Sequence, residues 1–393
     1  MGILHFARVQ KALQSKQECL SPDWSIQVYP HTVLMSKSVF TMNSNNELPA
    51  RMKALVLKST SEPPTVQIVP TPQPEVGSAV IRILAANVIS YMRDIYNGKR
   101  QYPFPTPLIP GTSAVARIAA VGPDATKLKP GDLVFFDNTI RSRDDPSHVF
   151  LSAIIQGATA GSAKLMRDVY RDGSYAEYCR APLECLYLFD EKRLTDSLDI
   201  GGLGYRIEEL ASVSGILVPY GGLRDIGLKA GQTIIVAPAT GPFGGWAVAV
   251  ALAMGARVIA MGRNKASLER LHKKVPMPER VMTVTITGDV LADADALKPH
   301  GQIDAYFDIG PPEASGSTHI KSCILALRHG AKISFMGGYG GGTQILLPLV
   351  PRISSANFSR YRNTTPSNHA QQSEDLREMD VRAFRHQRPV QTY

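Results

Sequence analysis

The sequence predicts an α/β protein in which a β-rich half precedes a doubly wound parallel sheet. From Met52 onward, short apolar runs are separated by Pro and Gly without a long helical pattern, which is typical of a small antiparallel barrel or sandwich. From about Ser214, strand-like runs alternate with helical stretches, and this alternation predicts parallel strands joined by right-handed crossovers. With 393 residues, 44% of them hydrophobic and 20% charged, the chain is large enough for two globular domains.

Several runs of the first half have the length and the β-branched or aromatic content of strands. They lie at 52–57, 65–69, 78–86, 114–121, 131–136 and 174–179. The segment 137–172 is longer and more apolar than a simple strand connection. It is either a loop that covers a substrate or an additional packed strand, and the sequence leaves both interpretations open.

The second half alternates strand and helix. Strands are predicted at 233–237, 257–261, 282–286, 305–309 and 332–336, and helices at 243–254, 265–273 and 320–327. The strand at 305–309 carries Asp308 at its carboxyl end, on the sheet edge where open α/β folds bind ligands. The sequence assigns no role to this carboxylate.

Both ends of the chain lack this patterning. Residues 1–51 are polar with little periodicity, and the chain beyond Pro351 is rich in Ser, Asn, Gln and Arg. We therefore expect a disordered N-terminal extension and a divergent, disordered tail at 350–393. The folded part is then a first domain at 52–213 and a second domain at 214–349.

Charge and cysteine content exclude several classes of function. The chain has 43 Lys and Arg against 34 Asp and Glu, a net charge of +9, but the excess is concentrated at the two ends, so we expect no nucleic-acid binding. Its 4 cysteines form no CxxC pair, which excludes a disulfide scaffold and a four-thiolate zinc site. No apolar run approaches the ~20 residues of a membrane span. We expect a cytoplasmic protein; a mitochondrial presequence is the alternative, because Arg8, Lys11 and Lys16 precede the first acid, Glu18.

A glycine-rich turn follows the predicted strand at 233–237. It reads AxGxxG, a variant of the dinucleotide-binding fingerprint, with Ala239, Gly241 and Gly244 in the three glycine positions. Gly241 lets the backbone approach a pyrophosphate, Gly244 lets the helix pack closely on the strand, and the helix N-terminus offers free N–H groups. We predict that a dinucleotide is bound by Thr240, Gly241, Pro242, Phe243, Gly244 and Gly245. A tight turn without a ligand is the alternative.

The end of the strand predicted at 257–261 indicates which nicotinamide coenzyme is bound. An NAD enzyme places Asp or Glu about 20 residues beyond the glycines to bind the ribose 2′-hydroxyl. Here the strand runs into Arg263, Asn264 and Lys265 instead. With no carboxylate to repel a 2′-phosphate and two cations to pair with it, the sequence predicts NADPH. Ser267 is a further hydroxyl donor, and a solvated loop is the alternative for Arg263.

The order of these elements resembles the medium-chain dehydrogenase/reductase superfamily, which contains the zinc alcohol dehydrogenases and their zinc-free quinone and enoyl reductase relatives. The matching stretches lie between Met52 and about Leu349. They are Pro110-Gly111-Thr112, Val121-Gly122-Pro123, 128–134, 173–178, 228–232 and 239–245. The resemblance implies a GroES-like catalytic domain followed by a Rossmann domain, with substrate and nicotinamide in the cleft between them. It also implies that Gly337 and Gly338 lie beside the nicotinamide carboxamide, and that the Gly-rich stretch 218–223 is a second turn of the cofactor cleft. A tight turn without a ligand is the alternative for both stretches.

The departures from the family pattern concern zinc. Where zinc alcohol dehydrogenases carry a ligand Cys and later Gly-His-Glu, this chain has Tyr91 and Gly111-Thr112-Ser113. Phenol and hydroxyl groups do not replace the thiolate and imidazole that zinc prefers, so we expect no metal. The histidines fit no metal-binding spacing and are expected at the surface or at helix caps. They include His148, His272, His300, His319, His329, His369 and His386.

Without a metal, hydroxyl groups become the candidates for catalysis. Tyr91 occupies the place of the ligand Cys and is the first candidate proton donor, with Thr112 and Ser113 as neighbours. The alternative for Tyr91 is an aromatic side chain that packs under the nicotinamide without a chemical role. The resemblance gives Asp94 the role of supporting hydrogen-bonder.

These features predict an NADPH-dependent, zinc-independent oxidoreductase that transfers hydride to a carbonyl, quinone or enone substrate. Relatives continue past the last predicted strand with a segment that returns to the catalytic domain, whereas here Gln344–Leu349 leads into a polar tail. The alternative is therefore a catalytically inactive nucleotide-binding relative with a truncated catalytic domain. A homodimer is possible and is left open.

Overall fold

The computed structural model describes residues 48–311, 314 and 316–337, together with the backbone of three strands at 24–29, 32–37 and 353–358. The chain divides into two compact units, residues 1–214 and residues 215–393. The predicted fold class is confirmed: a β-rich first unit is followed by a unit built on a parallel sheet.

The described strands of the first unit, in chain order, are β1 (Trp24–Tyr29), β2 (Thr32–Lys37), β3 (Arg51–Val56), β4 (Thr65–Pro70), β5 (Ser78–Val88), β6 (Ala114–Val121), β7 (Leu133–Phe136), β8 (Thr139–Arg141), β9 (Val149–Leu151), β10 (Tyr178–Pro182) and β11 (Leu186–Leu188). The main sheet has the order β1-β2-β5-β6-β7-β11, and β10 pairs with β5. All its pairs are antiparallel. The pairs β3-β4 and β8-β9 form separate two-stranded sheets.

Apolar residues of the central strands build the core of this unit. Ile81 of β5, Ile118 of β6 and Phe136 of β7 are almost fully buried and lie in one hydrophobic cluster. Strands of β-branched and aromatic residues pack well on a pleated surface that is covered on one face. The hydrophobic pattern read from the sequence therefore also defines the packed face.

β1 and β2 lie within residues 1–51, for which the sequence predicts no regular structure. β2 nevertheless pairs with β5, with Val33 opposite Val88. In the same way β17 (Ile353–Phe358) lies within the predicted tail and pairs in parallel with β16 (Ala331–Phe335). Both additions occupy a sheet edge, where unpaired N–H and C=O groups provide a template that local periodicity does not reveal.

Of the two interpretations of the segment 137–172, a covering loop or an additional packed element, the structure shows the packed element. It contains the hairpin β8-β9, followed by a helix, α2 (Ala160–Asp168). Phe150 and Ile154 of this segment are buried, at 0% and 5% exposure. Apolar side chains inserted into the core add to its stability, which a mobile cover over a substrate does not require.

The described helices of the first unit are short. In chain order they are α1 (Met92–Tyr96), α2, α3 (Glu191–Thr195) and α4 (Ile207–Leu210), and a longer helix, α5 (Val213–Asp225), spans the junction of the units. The stretch 218–223, which the sequence treats as a turn of the cofactor cleft, is part of α5. A Cβ atom at Gly222 would lie 2.7 Å from the Ser334 hydroxyl and 2.8 Å from the Phe307 ring, so this glycine permits close helix–sheet packing and not a turn.

The second unit is a parallel sheet with helices in the connections. Its further described elements, in chain order, are β12 (Thr233–Ala237), α6 (Pro242–Ala253), β13 (Arg257–Gly262), α7 (Lys265–Lys274), β14 (Val281–Thr285), α8 (Val290–Leu297), β15 (Ala305–Asp308) and α9 (His319–Ala326). The strand order is β14-β13-β12-β15-β16-β17, so the chain starts in the middle, builds to one side and then returns to build the other. This is the doubly wound order, and its reversal point lies between β12 and β15.

The central strand β12 is buried over its whole length, since Ile234, Ile235 and Val236 are each 0% exposed. A parallel strand covered by helices on both faces reads as a continuous apolar run, which is the pattern that predicted this strand. The segment 344–349, which leads into the polar tail, lies outside the described residues. Among the described residues no helix is long and apolar enough to span a membrane.

Candidate functional site

The glycine-rich turn connects the buried strand β12 to helix α6. Gly241 is the residue before the helix and Pro242 is its first residue, a position where a missing N–H has no consequence because that group has no intrahelical partner. The Ala239 N–H donates to the carbonyl of Met261, 2.7 Å away. The turn is thus tied to the carboxyl end of β13, and the N-terminus of α6 begins at the edge where the strand order reverses.

The two glycines of the turn have different surroundings. A Cβ atom at Gly244 would lie 2.1 Å from the Pro238 carbonyl oxygen, whereas one at Gly241 would meet no atom of the described residues within 4 Å. Gly244 is therefore required by helix–strand packing. The open space at Gly241 leaves room for a ligand to approach the backbone, as a pyrophosphate does in dinucleotide-binding folds.

The end of β13 provides cations and no carboxylate. The strand ends at Gly262, and a Cβ atom there would lie 3.3 Å from the Thr240 side chain. Arg263 and Lys265 follow, both exposed, and neither makes an ion pair with another described residue. The Asn264 side chain accepts the Ser267 N–H at 2.9 Å, so it caps α7.

Two further cofactor residues were predicted beside these. Gly337 follows Met336 at the end of β16 and is half-buried. Gly338 lies outside the described residues. The Met336 N–H donates to the carbonyl of Asp308 at 2.8 Å, which joins the end of β16 to the end of β15.

The hydroxyl group of Thr112 is engaged in the interior of the first unit. Thr112 is 6% exposed, and its Oγ1 donates to the carbonyl of Asn87 at 2.7 Å. Its N–H donates to the Ser174 hydroxyl at 3.0 Å. The neighbouring Ser113 hydroxyl donates to Asn138 Oδ1 at 2.9 Å. These contacts hold both hydroxyl groups in place and direct their protons toward the protein.

Asn87, which the sequence did not single out, is the centre of this network. Its carbonyl also accepts the Tyr175 hydroxyl at 2.9 Å, and its Nδ2 donates to the Ser214 hydroxyl at 2.8 Å. Tyr175 lies in one of the stretches that carry the family resemblance. The pattern of that stretch does not reveal this hydrogen bond, because its two residues are 88 positions apart in the chain. Burial, followed by the nearby Tyr96, raises the pKa of Tyr175 well above its usual range.

Tyr96 forms a second buried bridge close to the Gly111 backbone. Its hydroxyl donates to the Ala153 carbonyl at 3.0 Å and accepts the Gly111 N–H at 3.1 Å. Burial raises its pKa, and the Gly111 bond opposes that effect. Gly111 has a φ of +143°, and a Cβ atom there would lie 2.2 Å from the Ser174 nitrogen. Only glycine fits at this close approach of two backbones.

Tyr91 and Asp94 lie at the start of α1. Tyr91 precedes the helix and is half-buried, and the Arg100 guanidinium carbon lies 4.2 Å from the centre of its ring. A cation over an aromatic face is held by the ring quadrupole. The carboxylate of Asp94 lies 3.8 Å from the Lys99 ammonium. The network around Asn87 thus holds Thr112, whereas Tyr91 and Asp94 are held at the start of α1 by contacts with Arg100 and Lys99.

The donor set of this region does not suit zinc. Tyr91, Thr112 and Ser113 offer hydroxyl oxygens, two of which are already hydrogen-bonded, and zinc sites in proteins are built from thiolate, imidazole and carboxylate ligands. Within the described ranges, no group of three or more His, Cys, Asp or Glu residues is arranged to hold a metal ion.

Comparison with protein-family models matches residues 75–191 to the alcohol dehydrogenase GroES-like domain. Among curated proteins, the chain is 25% identical to the L-threonine 3-dehydrogenase of Streptomyces coelicolor over 298 residues, which cover 73% of this chain and 77% of that one. It is 30% identical to the acryloyl-coenzyme A reductase of Metallosphaera sedula over 221 residues, which cover 55% of this chain and 61% of that one.

A solved structure shows the same fold. A Sinorhizobium meliloti 1021 protein assigned as a zinc-binding dehydrogenase and bound to NADP superimposes with a TM-score of 0.57 at 19% sequence identity, covering 76% of this chain and 80% of that one. The comparison therefore agrees with the architecture described above, a GroES-like β-rich unit followed by a doubly wound sheet.

Proposed function

Because this chain belongs to the medium-chain dehydrogenase/reductase superfamily, we propose that it is an NADPH-dependent, zinc-independent oxidoreductase that reduces a carbonyl or an activated alkene. Its relatives are dehydrogenases and reductases, so the chain is an oxidoreductase of the alcohol dehydrogenase-like type that uses a nicotinamide coenzyme. The choice of coenzyme, the absence of zinc and the identities of the catalytic residues are the parts that we propose.

The second unit fits a dinucleotide at its glycine-rich turn. The open space at Gly241 lets a pyrophosphate approach the main chain, and the first N–H groups of α6 have no intrahelical partners and favour an anion. We assign the pyrophosphate to residues 240–245 and the nicotinamide side to Gly337 and Gly338. A bound reduced nicotinamide supplies a hydride to an electrophilic carbon.

One observation supports NADPH over NADH. β13 ends in Gly262, and the next side chains are the exposed Arg263 and Lys265. A carboxylate that would bind a 2′-hydroxyl and repel a 2′-phosphate is absent from this strand end, and a guanidinium and an ammonium are present. Asn264 caps α7, so we assign it the role of holding the loop that presents these cations.

Titration of the protein with NADPH and NADH by fluorescence tests this assignment. We expect Arg263→Gln to raise the Kd for NADPH by about tenfold, the loss of one charge-assisted hydrogen bond, while the Kd for NADH stays the same. Lys273→Gln is the matched control, because it removes an exposed cation from the far end of the same helix α7. Equal affinity of the unchanged protein for the two coenzymes would contradict the proposal.

In the first unit we assign proton donation to Tyr91. Reduction of a carbonyl places a negative charge on the substrate oxygen, and a phenol hydroxyl gives its proton to that oxygen and regains one from water. Asp94, next to Lys99, supports the start of α1 that carries Tyr91. The substrate class is a small carbonyl, quinone or enone. A relative named acryloyl-coenzyme A reductase supports the activated alkene.

The donor chemistry around Thr112 supports zinc independence. Two hydroxyl groups that donate to Asn87 and Asn138 do not provide the ligands of a zinc site. Metal analysis of the purified protein, followed by activity measurements before and after treatment with a chelator, tests this. Stoichiometric zinc, or loss of activity on chelation, would refute it.

A second candidate function is nucleotide binding without turnover. It is favoured by the inward engagement of the Thr112 hydroxyl, which leaves fewer groups for proton transfer than the sequence suggested. NADPH consumption measured against a panel of quinones, enones and aldehydes separates the two functions. Tight coenzyme binding with no consumption on any member of the panel would favour the binding protein.

The free, buried cysteines support a reducing compartment. Cys179, Cys185 and Cys323 form no disulfide, as expected where thiols are kept reduced. We therefore propose that the protein acts in a reducing compartment, with the cytoplasm as the first choice and the mitochondrion as the alternative.

A further inference from the structure

A buried polar network lies at the carboxyl end of β15. The carboxylate of Asp308 is 0% exposed, and its Oδ2 accepts the Tyr306 hydroxyl at 2.6 Å. The same oxygen lies 2.9 Å from Nε2 of His319, which is 1% exposed. The other ring nitrogen, Nδ1, lies 2.7 Å from the Ser317 hydroxyl. His319 is thus an interior residue, whereas the sequence placed the histidines at the surface or at caps.

This network also holds the backbone beyond the strand. Asp308 Oδ1 accepts the Gly310 N–H at 3.1 Å. A carboxylate without solvent must have its oxygens satisfied by donors, and here the side chains of β15, the first residue of α9 and the next turn of the backbone all converge on one carboxylate. Its position therefore determines where the chain runs after β15.

The same residue joins the two turns that were assigned to the coenzyme. Asp308 lies opposite Ala237 in the sheet, and the Ile309 N–H donates to the Ala237 carbonyl at 3.3 Å, directly before the glycine-rich turn. On its other side, the Asp308 carbonyl accepts the Met336 N–H, one residue before Gly337. The network thus lies at the reversal point of the strand order, between the pyrophosphate turn and the nicotinamide turn.

We propose that Asp308 and His319 are positioning residues for the nicotinamide half of the coenzyme. They hold the ends of β15 and β16 in the arrangement that the second mononucleotide requires, and they do not act on the adenosine half, which is bound by the turn after β12 and the end of β13. This inference rests on the proposed function. It adds residues to that site for which neither the glycine motif nor the cation pair gave a signal.

Binding of two ligands distinguishes the positioning of the nicotinamide half by Asp308 and His319 from a general structural role of these residues. The Kd values of NADPH and of adenosine 2′,5′-bisphosphate, which contains only the adenosine half, are measured by calorimetry on the full chain. In Asp308→Asn the Tyr306 and His319 donors no longer share a carboxylate, and we expect the Kd of NADPH to rise by about tenfold. The Kd of the bisphosphate is expected to stay within about twofold, because the Asp308 carboxylate bonds to Tyr306, Gly310 and His319, whereas the bisphosphate is assigned to residues 240–245 and the end of β13.

Two further variants complete the experiment. Tyr306→Phe removes one donor to Asp308 and leaves the ring that packs edge-on against Phe335, so it gives the same selective loss, in a smaller amount, if Asp308→Asn does not fold. Thr233→Val is the matched control, because it removes a buried hydroxyl at the opposite end of the same sheet, and that hydroxyl has no hydrogen-bond partner among the described residues. It should change neither Kd.

The outcomes differ for the two proposals. A loss of affinity for NADPH alone supports the positioning role. Equal losses of affinity for both ligands, or no loss in either variant, overturn the positioning role but do not contradict the proposed coenzyme site. If the unchanged protein binds neither ligand, the coenzyme site itself is wrong.

Discussion

The hydroxyl of Thr112 is held in the interior of the first unit. The family pattern places it where a zinc ligand stands, which suggested catalysis, but its proton is directed at the Asn87 carbonyl. A hydroxyl that donates to a buried carbonyl contributes to the fold whether or not it touches a substrate. Tyr91, half-buried at the start of α1, is therefore the stronger candidate for proton transfer.

Thr112→Val should lower the free energy of unfolding by about 1 kcal/mol, the net contribution of one buried hydrogen bond. The loss stays small because the Asn87 carbonyl still accepts the Tyr175 hydroxyl. Thr112→Ser keeps the hydroxyl and should restore most of the stability. Urea unfolding of the three proteins measures the difference, and a Val variant as stable as the unchanged chain would show that the bond contributes nothing.

Tyr91→Phe should reduce kcat by roughly 10²-fold or more, the usual contribution of a positioned general acid, with the Kd of the coenzyme unchanged. Tyr102→Phe is the control, since Tyr102 packs against the same hydrophobic cluster as Tyr91. Unchanged turnover in Tyr91→Phe would leave this tyrosine with a packing role, and the proton donor would have to be sought elsewhere.

Among the elements, the turn between β12 and α6 contains two glycines that meet different requirements, one for close packing and one for the approach of a ligand. The sequence reads both glycines as parts of a phosphate-binding loop. In the structure, Gly244 is confined by the Pro238 carbonyl, and Gly241 faces open space. Gly244 is therefore required for folding, and we propose that Gly241 is required for binding.

Alanine at each position separates these conditions. Gly241→Ala should leave the melting temperature unchanged, because its φ of −78° suits any residue and its Cβ meets nothing, but it should weaken coenzyme binding by about tenfold or more through a clash with the pyrophosphate. Gly244→Ala should lower the melting temperature, since its Cβ would lie 2.1 Å from backbone. Thermal melts with and without NADPH measure both effects. The reverse pattern would contradict this division of roles.

For the molecule as a whole, buried acidic groups determine the response to alkaline pH. Burial raises the pKa of the Cys179 thiol to about 12, and burial does the same for Cys185. The buried hydroxyls of Tyr96 and Tyr175 are shifted in the same direction. These four groups belong to the first unit, and burial also raises the pKa of the Cys323 thiol in the second unit well above its usual range. Raising the pH should therefore affect both units.

The sign follows from proton binding. Between about pH 9 and pH 12 the unfolded chain releases these protons and the folded chain keeps them, so stability that is complete below pH 9 falls as the pH rises. Each such group contributes a slope of about 1.4 kcal/mol per pH unit. Cys179→Ala should therefore make the dependence shallower. Unfolding free energies measured from about pH 8 to about pH 11 test this, and an unchanged slope in the variant would show that the thiol ionises in the folded state.

The sequence by itself determined the class of fold, most strand and helix positions and the place of the glycine-rich turn. The strand predicted at 114–121 and the strand predicted at 233–237 have the same bounds in the structure. Such features depend on residues that are close in the chain, where alternation and glycine placement report directly which side is buried and where the backbone turns.

Only the tertiary structure decided what the polar side chains do. The bond from Thr112 to Asn87 spans 25 residues, that from Tyr175 to Asn87 spans 88, and that between Asp308 and His319, the first residue of α9, spans 11. The stretch 218–223 became part of a helix because the sheet packs against Gly222. Hydrogen-bond partners are chosen by which surfaces meet when the sheets form, and no local pattern of residues carries that information.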